Sequence, residues 1–99
     1  MKRYAQLGIL KPEYIEKYKK LHASVWPEVA AILTKGNIHN YSIYISGTSV
    51  FQYFEYTGTD LAEDSAKMAA EPVNQKWQAE TGPCFEKFYV DAEEVFHLN

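Results

Sequence analysis

This chain is poor in the residues that organise many small proteins. Cys84 is its one cysteine, so no internal disulfide can form and no CxxC pair is available to hold a metal. Lysine and arginine number 10 against 13 acids, and the two signs are interspersed. With no basic stripe, nucleic acid is not an expected partner. No apolar run reaches membrane-spanning length, so no membrane contact is expected. The opening Met1-Lys2-Arg3-Tyr4 leads into an alternating segment and not into the apolar stretch of a signal peptide. These absences predict a cytoplasmic protein. Also missing are a Gly-rich phosphate loop, a nucleophile elbow and an HExxH helix.

Aromatic residues are abundant instead: eight Tyr, five Phe and two Trp. Tyrosine combines apolar bulk with a hydroxyl that needs a partner. Such richness suits either a core with wet edges or a pocket for a polar ligand such as a sugar. The length predicts a single domain spanning residues 1–99. A chain of this size buries roughly two-thirds of its unfolded surface on folding.

The most informative stretch is Tyr18 to Glu28, where Tyr18, His22 and Trp26 recur every fourth residue. In a helix, Tyr18 and His22 share one face, one turn apart. Trp26 precedes Pro27, which biases it out of helical torsions. The prediction is a helix from about Glu13 through His22, a break near Trp26, and a second helix from Pro27 to Lys35. Gly36-Asn37 closes that second piece.

Alternation elsewhere predicts strands. Arg3 to Leu10 places Ala5, Leu7 and Ile9 on one face and Tyr4, Gln6, Gly8 and Leu10 on the other. Both faces are largely apolar, so this strand is expected to be central. Gln6 and Gly8 could floor a polar pocket, or Gly8 could serve close helix packing. Ile38 to Ser46 and Ser49 to Tyr56 form a hairpin across Gly47. In the first of these, His39, Tyr41, Ile43 and Ile45 oppose Ile38, Asn40, Ser42 and Tyr44. In the second, Val50, Gln52, Phe54 and Tyr56 oppose Phe51, Tyr53 and Glu55. Thr59 or Asp60 caps a helix over Leu61 to Ala70, and Pro72 separates it from a piece running from Val73 to about Glu80. Phe85, Phe88 and Tyr89 are expected to anchor a loop, with a short last strand from Glu94 to Leu98.

The resulting order, βαββαβ, is the ferredoxin-like arrangement of the α+β class: an antiparallel four-stranded sheet with helices on one face. The uncovered sheet face is apolar too. A second copy related by two-fold symmetry is its simplest cover, giving a dimeric α/β barrel.

Among three histidines, His22 alone lies on a buried aromatic stripe; His97, at the end of the last strand, has blander surroundings, and His39, beside a strand start, could serve either role. An imidazole titrates near neutral pH and can take and return a proton without special tuning. A lone histidine on such a stripe is more often structural. The neighbouring Tyr18, Trp26 and His39-Asn40-Tyr41 shift the balance toward a site for a small polyhydroxylated ligand. Its hydroxyls would bond to Tyr, Asn and His, and its apolar face would stack on Trp.

These segments carry a family resemblance. Glu16-Lys17-Tyr18 with His22, Val25-Trp26-Pro27-Glu28, His39-Asn40-Tyr41 with Ile43-Tyr44, Gln75-Lys76-Trp77, and Glu93-Glu94-Val95-Phe96 resemble the L-rhamnose mutarotase family over nearly the whole chain. The resemblance implies a homodimeric α/β barrel that interconverts the α and β anomers of L-rhamnose with no cofactor and no metal. It implies that His22 is the proton donor, that Tyr18 and Tyr41 bind the sugar, and that Trp77 is the first of two adjacent aromatic contacts. Gln78 departs from the pattern, which carries a second tryptophan there, so a related monosaccharide is an alternative substrate. The base is open among a tyrosine, Glu28, Glu55 and a water. Two competing readings are a cofactor-free monooxygenase on the same scaffold and a non-catalytic sugar-binding domain.

Overall fold

Strand β3, Ser49–Tyr56, shows how the layers form. Val50, Gln52, Phe54 and Tyr56 are buried, whereas Phe51 on the opposite face is exposed. The period of two therefore points one row of side chains at the helices and the other away from them. The computed structural model describes all 99 residues. Strand β1 is Lys2–Leu10, helix α1 is Ile15–Ala23, α2 is Pro27–Lys35, and β2 is Ile38–Ser46. After β3 come α3, Leu61–Ala70, then α4, Pro72–Thr81, and finally β4, Phe85–Ala92. The four strands lie in the order β2-β3-β1-β4, all antiparallel, so β1 is central as expected.

Local chemistry explains the breaks. Pro27 and Pro72 open α2 and α4, where a missing backbone N–H costs nothing. Trp26 is extended (φ −59°, ψ 130°) ahead of Pro27, which separates α1 from α2. Asp60 caps α3 by accepting from the Glu63 amide at 3.0 Å. Lys11 to Tyr14 turns through a short 3-10 segment before α1 begins at Ile15, slightly later than the spacing predicts.

The last strand differs from expectation. It runs from Phe85 to Ala92, while Val95, Phe96 and Leu98 lie outside any strand and are exposed. Phe85, Phe88 and Tyr89 are strand residues and not loop anchors. The cause is irregular pairing with β1. Between the pairs Leu7–Val90 and Ile9–Lys87, and again before Leu10–Phe85, β4 carries an extra residue. Two bulges in eight residues erase the alternation that marks a strand in sequence.

A third bulge corrects the reading of β2. His39 pairs with Glu55, but Ser42 pairs with Tyr53, so β2 has one residue too many. Asn40 absorbs it with a left-handed backbone (φ 48°), a conformation asparagine tolerates better than most residues. Strict alternation sets Ile38 opposite Tyr41, Ile43 and Ile45. The bulge instead brings Tyr41 and Ile43 to the helix side, the side on which Ile38 is buried.

The core forms two centres. Leu10, Tyr18, Val50, Cys84 and Phe85 pack at one end, and Ile38, Phe54 and Tyr56 at the other. Gly8 is needed for a close approach, though not by a helix. A Cβ there would lie 2.9 Å from the Phe85 ring and 3.2 Å from that of Tyr89. The face away from the helices exposes Leu7, Ile9, Tyr44, Phe51 and Val90. No helix is long and apolar enough to cross a membrane.

Candidate active site

Beside the first of these core centres, the helices stand off the sheet and leave a hollow of about 300 Å³. That is the lower end for ligand pockets and suits one small ring. Helix α1 contributes Tyr18 and His22 to its lining, and α4 contributes Trp77 and Gln78. The floor includes Gln6, Tyr41 and Gln52, and β4 adds Phe88 and Tyr89. A second hollow toward α2 shares His22, Tyr41, Ile43 and Trp77 with the first.

His22 stands at the junction. Its ring lies 4.1 Å from that of Tyr18 and 5.3 Å, edge-on, from Trp77. Its Nδ1 is 2.9 Å from the carbonyl oxygen of Tyr18, one turn back in α1. A carbonyl only accepts, so Nδ1 carries the proton and donates it. The neutral ring then leaves Nε2 with its lone pair and no protein partner. Burial holds the pKa of His22 below the ordinary histidine value, and the bond to the Tyr18 carbonyl opposes this only partly. At neutral pH the hollow therefore contains a neutral imidazole ready to take a proton.

The tyrosines divide into two arrangements. Tyr18 and Tyr89 share a hydroxyl–hydroxyl bond of 2.7 Å. One hydroxyl must donate to the other, so the pair keeps one free O–H to give. Burial pushes Tyr18 up to about 12, and Tyr89 is also raised by burial and by its bond to Tyr18. Both stay protonated at physiological pH. Tyr41 is partly exposed at its ring, but its hydroxyl is tucked down and donates to Gln52 Oε1 at 2.6 Å. Burial raises its pKa as well.

Of the residues predicted for the site, Tyr18, His22, Tyr41, Trp77 and Gln78 line the first hollow together. Trp26 does not line it. Its ring stands 5.1 Å from Trp77, edge-on, and supports that indole from behind. Asn40 touches only the second hollow, and its amide donates to Glu55 Oε1 at 2.6 Å. The bulge that brings Tyr41 in occupies Asn40 with this bond. Glu55 also accepts from Tyr53 at 2.8 Å, and neither Glu55 nor Glu28 lines either hollow. The carboxylate candidates for the base thus lie elsewhere.

Sequence reasoning missed Tyr89 as a site residue; it offered Gln6 as one reading of a pocket floor and placed Gln52 on a strand face without assigning it to the site. Tyr89 was hidden by the bulges of β4. For the glutamines a signal existed: Gln6 and Gln52 each place an amide on the buried row of a central strand, where a polar side chain needs a partner.

An open-faced antiparallel sheet and a single neutral imidazole, ringed by phenols, amides and an indole, are the parts that a small acid–base enzyme for a hydroxylated ligand requires. Comparison with known proteins gives the family. A sequence model of the L-rhamnose mutarotase family matches residues 3–98, and the chain belongs to that family. It is 35% identical to the L-rhamnose mutarotase of Phocaeicola vulgatus, across the full length of both chains. The fold matches the crystal structure of L-rhamnose mutarotase FA22100 from Formosa agariphila, with a TM-score of 0.81, 23% identity and full coverage of both chains. A dimeric ferredoxin-like protein from an uncultured marine organism superposes with a TM-score of 0.65 at 11% identity, covering 98% of this chain and 96% of that one.

Proposed function

We propose that this protein interconverts the α and β anomers of L-rhamnose or a closely related monosaccharide, with His22 moving the proton. The supporting observation is that His22 is the one side chain lining the first hollow whose ordinary pKa lies near neutrality.

Mutarotation requires the anomeric hydroxyl to lose a proton and the ring oxygen to gain one. Both oxygens are bonded to C1, so one nitrogen can reach both. Nε2 of His22 takes the proton from the anomeric hydroxyl as the C1–ring oxygen bond breaks. The electron pair of that bond goes to the ring oxygen, and the imidazolium returns the proton there. Rotation about C1–C2 and the reverse transfer close the other anomer. His22 is then the donor to the ring oxygen and also supplies the base, and no carboxylate is needed. The free O–H of the Tyr18–Tyr89 pair steadies the ring oxygen as charge develops. Trp77 offers an apolar face to the sugar ring, and Gln78 offers an amide beside it. No cofactor and no metal enter this scheme.

Saturation-exchange NMR on L-rhamnose and its epimers tests this reading. The protein should add exchange between the α and β anomeric protons; shifted resonances without added exchange would make it a sugar binder only. The acid limb sharpens the test. Because His22 must begin neutral and its pKa is lowered, kcat/KM should hold as pH falls past about 6.5 and decline only below that. A rate that rises on acidification would mean that the imidazolium starts the reaction.

The working form is a homodimer closed through the exposed sheet face. Phe51 pairs with Leu7 on β1 and Tyr44 on β2, which puts it amid this apolar surface. Phe51→Asp should yield a folded monomer by light scattering, and a variant that remains dimeric would rule this face out. Function in the cytoplasm agrees with Cys84, a buried free thiol.

A further inference from the structure

One residue from each strand forms a hydrogen-bonded row across the full width of the sheet, beneath the first hollow. Tyr41 of β2 donates to Gln52 Oε1 at 2.6 Å. Gln52 Nε2 of β3 donates to Gln6 Oε1 of β1. Gln6 Nε2 donates to Asp91 Oδ1 of β4 at 2.7 Å. Strand register supports the row, because Gln6 pairs directly with both Gln52 and Asp91.

The row has a direction, and its end sets it. An ionised carboxylate only accepts, so Asp91 requires Gln6 to turn its NH2 outward. The Gln6 carbonyl then faces Gln52 and requires that amide to present its NH2. The Gln52 carbonyl in turn faces Tyr41 and requires the phenol to donate. Reversing either amide would set oxygen against oxygen or N–H against N–H, and Gln52 is too buried for water to repair the loss. No buried side-chain nitrogen or oxygen in the protein lacks a partner.

We propose that Asp91 is a positioning residue that sets the direction of the Tyr41 hydroxyl through Gln6 and Gln52, so that Tyr41 receives a hydrogen bond from a ligand hydroxyl and cannot give one. Asp91 is exposed beyond the floor of the hollow and does not line it. Tyr41 and Nε2 of His22 then each offer an acceptor to a polyol, and the Tyr18–Tyr89 pair offers a donor. The consequence for the substrate rests on the sugar reading above; the direction of the row does not.

Asp91→Lys is the decisive variant. Position 91 is exposed and tolerates the longer chain, and an ammonium only donates. Both amides should turn over, and Tyr41 should point its proton into the hollow. The side-chain amide signals of Gln52 should shift in 15N–1H spectra, although β1 lies between β3 and β4. KM for L-rhamnose anomer exchange should rise roughly tenfold, the scale of one uncharged hydrogen bond, with kcat within about threefold. Asp91→Glu should keep KM within about twofold of wild type, because its carboxylate again only accepts from Gln6. Unmoved Gln52 signals in Asp91→Lys overturn the proposal. Moved signals with unchanged KM also overturn it, since Asp91 then positions nothing for the substrate. If the signals move but the wild-type protein exchanges no sugar anomers, the mutarotase reading fails and the direction of the row stands.

Discussion

His22→Ala should lower kcat for anomer exchange by about two to four orders of magnitude, the range spanned by positioned acid–base groups. The fold should survive. His22 is half-buried, and its one protein hydrogen bond is to a carbonyl of its own helix. Circular dichroism and light scattering would verify that the variant is intact. His22→Asn separates position from proton transfer. Its amide can donate to the Tyr18 carbonyl as Nδ1 does, yet it cannot shuttle a proton at neutral pH. It should be about as inactive as the alanine variant. A rate above one-tenth of wild type in either would make His22 a packing residue. The imidazole would then owe its place to its ring contacts with Tyr18 and Trp77.

Trp77→Ala should be the most damaging single change to stability near the site. The indole is only 6% exposed, and it meets both His22 and Trp26 edge-on. Removing a buried tryptophan costs about 3–5 kcal/mol, because the lost burial is joined by a cavity the neighbours cannot fill. For a domain of this size that corresponds to a fall in Tm of roughly 15–30 °C. Sugar affinity should weaken as well, since Trp77 is the principal apolar wall beside His22. Trp77→Phe keeps a ring and part of the contact, so it should recover much of the Tm. If Trp77→Ala melts within a few degrees of wild type, the α1–α4 contact contributes little to the fold.

Much of the architecture was legible because it rests on short-range chemistry. The boundaries of α2, β2, β3 and α3 agree with the spacing, since Pro27, Gly36, Gly47 and Asp60 punctuate them. The Tyr18–His22 face was readable because α-helical geometry makes residues four apart neighbours. What could not be read depends on pairing between distant segments. Whether β4 lies at residues 85–92 or 94–98 is decided by its fit to β1, with two extra residues absorbed along the way. Val95, Phe96 and Leu98 look more strand-like than Glu86-Lys87, yet they are unpaired and exposed. The orientation of Asn40 was likewise hidden, because one left-handed residue reversed the facing of everything after it in β2. Trp26 was a near miss: its spacing from His22 was informative, but the turn at Pro27 sends it behind Trp77.

The odd residue at Asn40 makes this strand forgiving of one particular loss. Deleting Asn40 alone would leave a smooth ladder in which Ser42 keeps Tyr53 and Ile43 keeps Gln52, so Tyr41 would fall level with Phe54 and still face the chamber. What would vanish is the amide that holds Glu55. Natural variation at this spot should therefore include single gaps, with the phenol retained on either side of them.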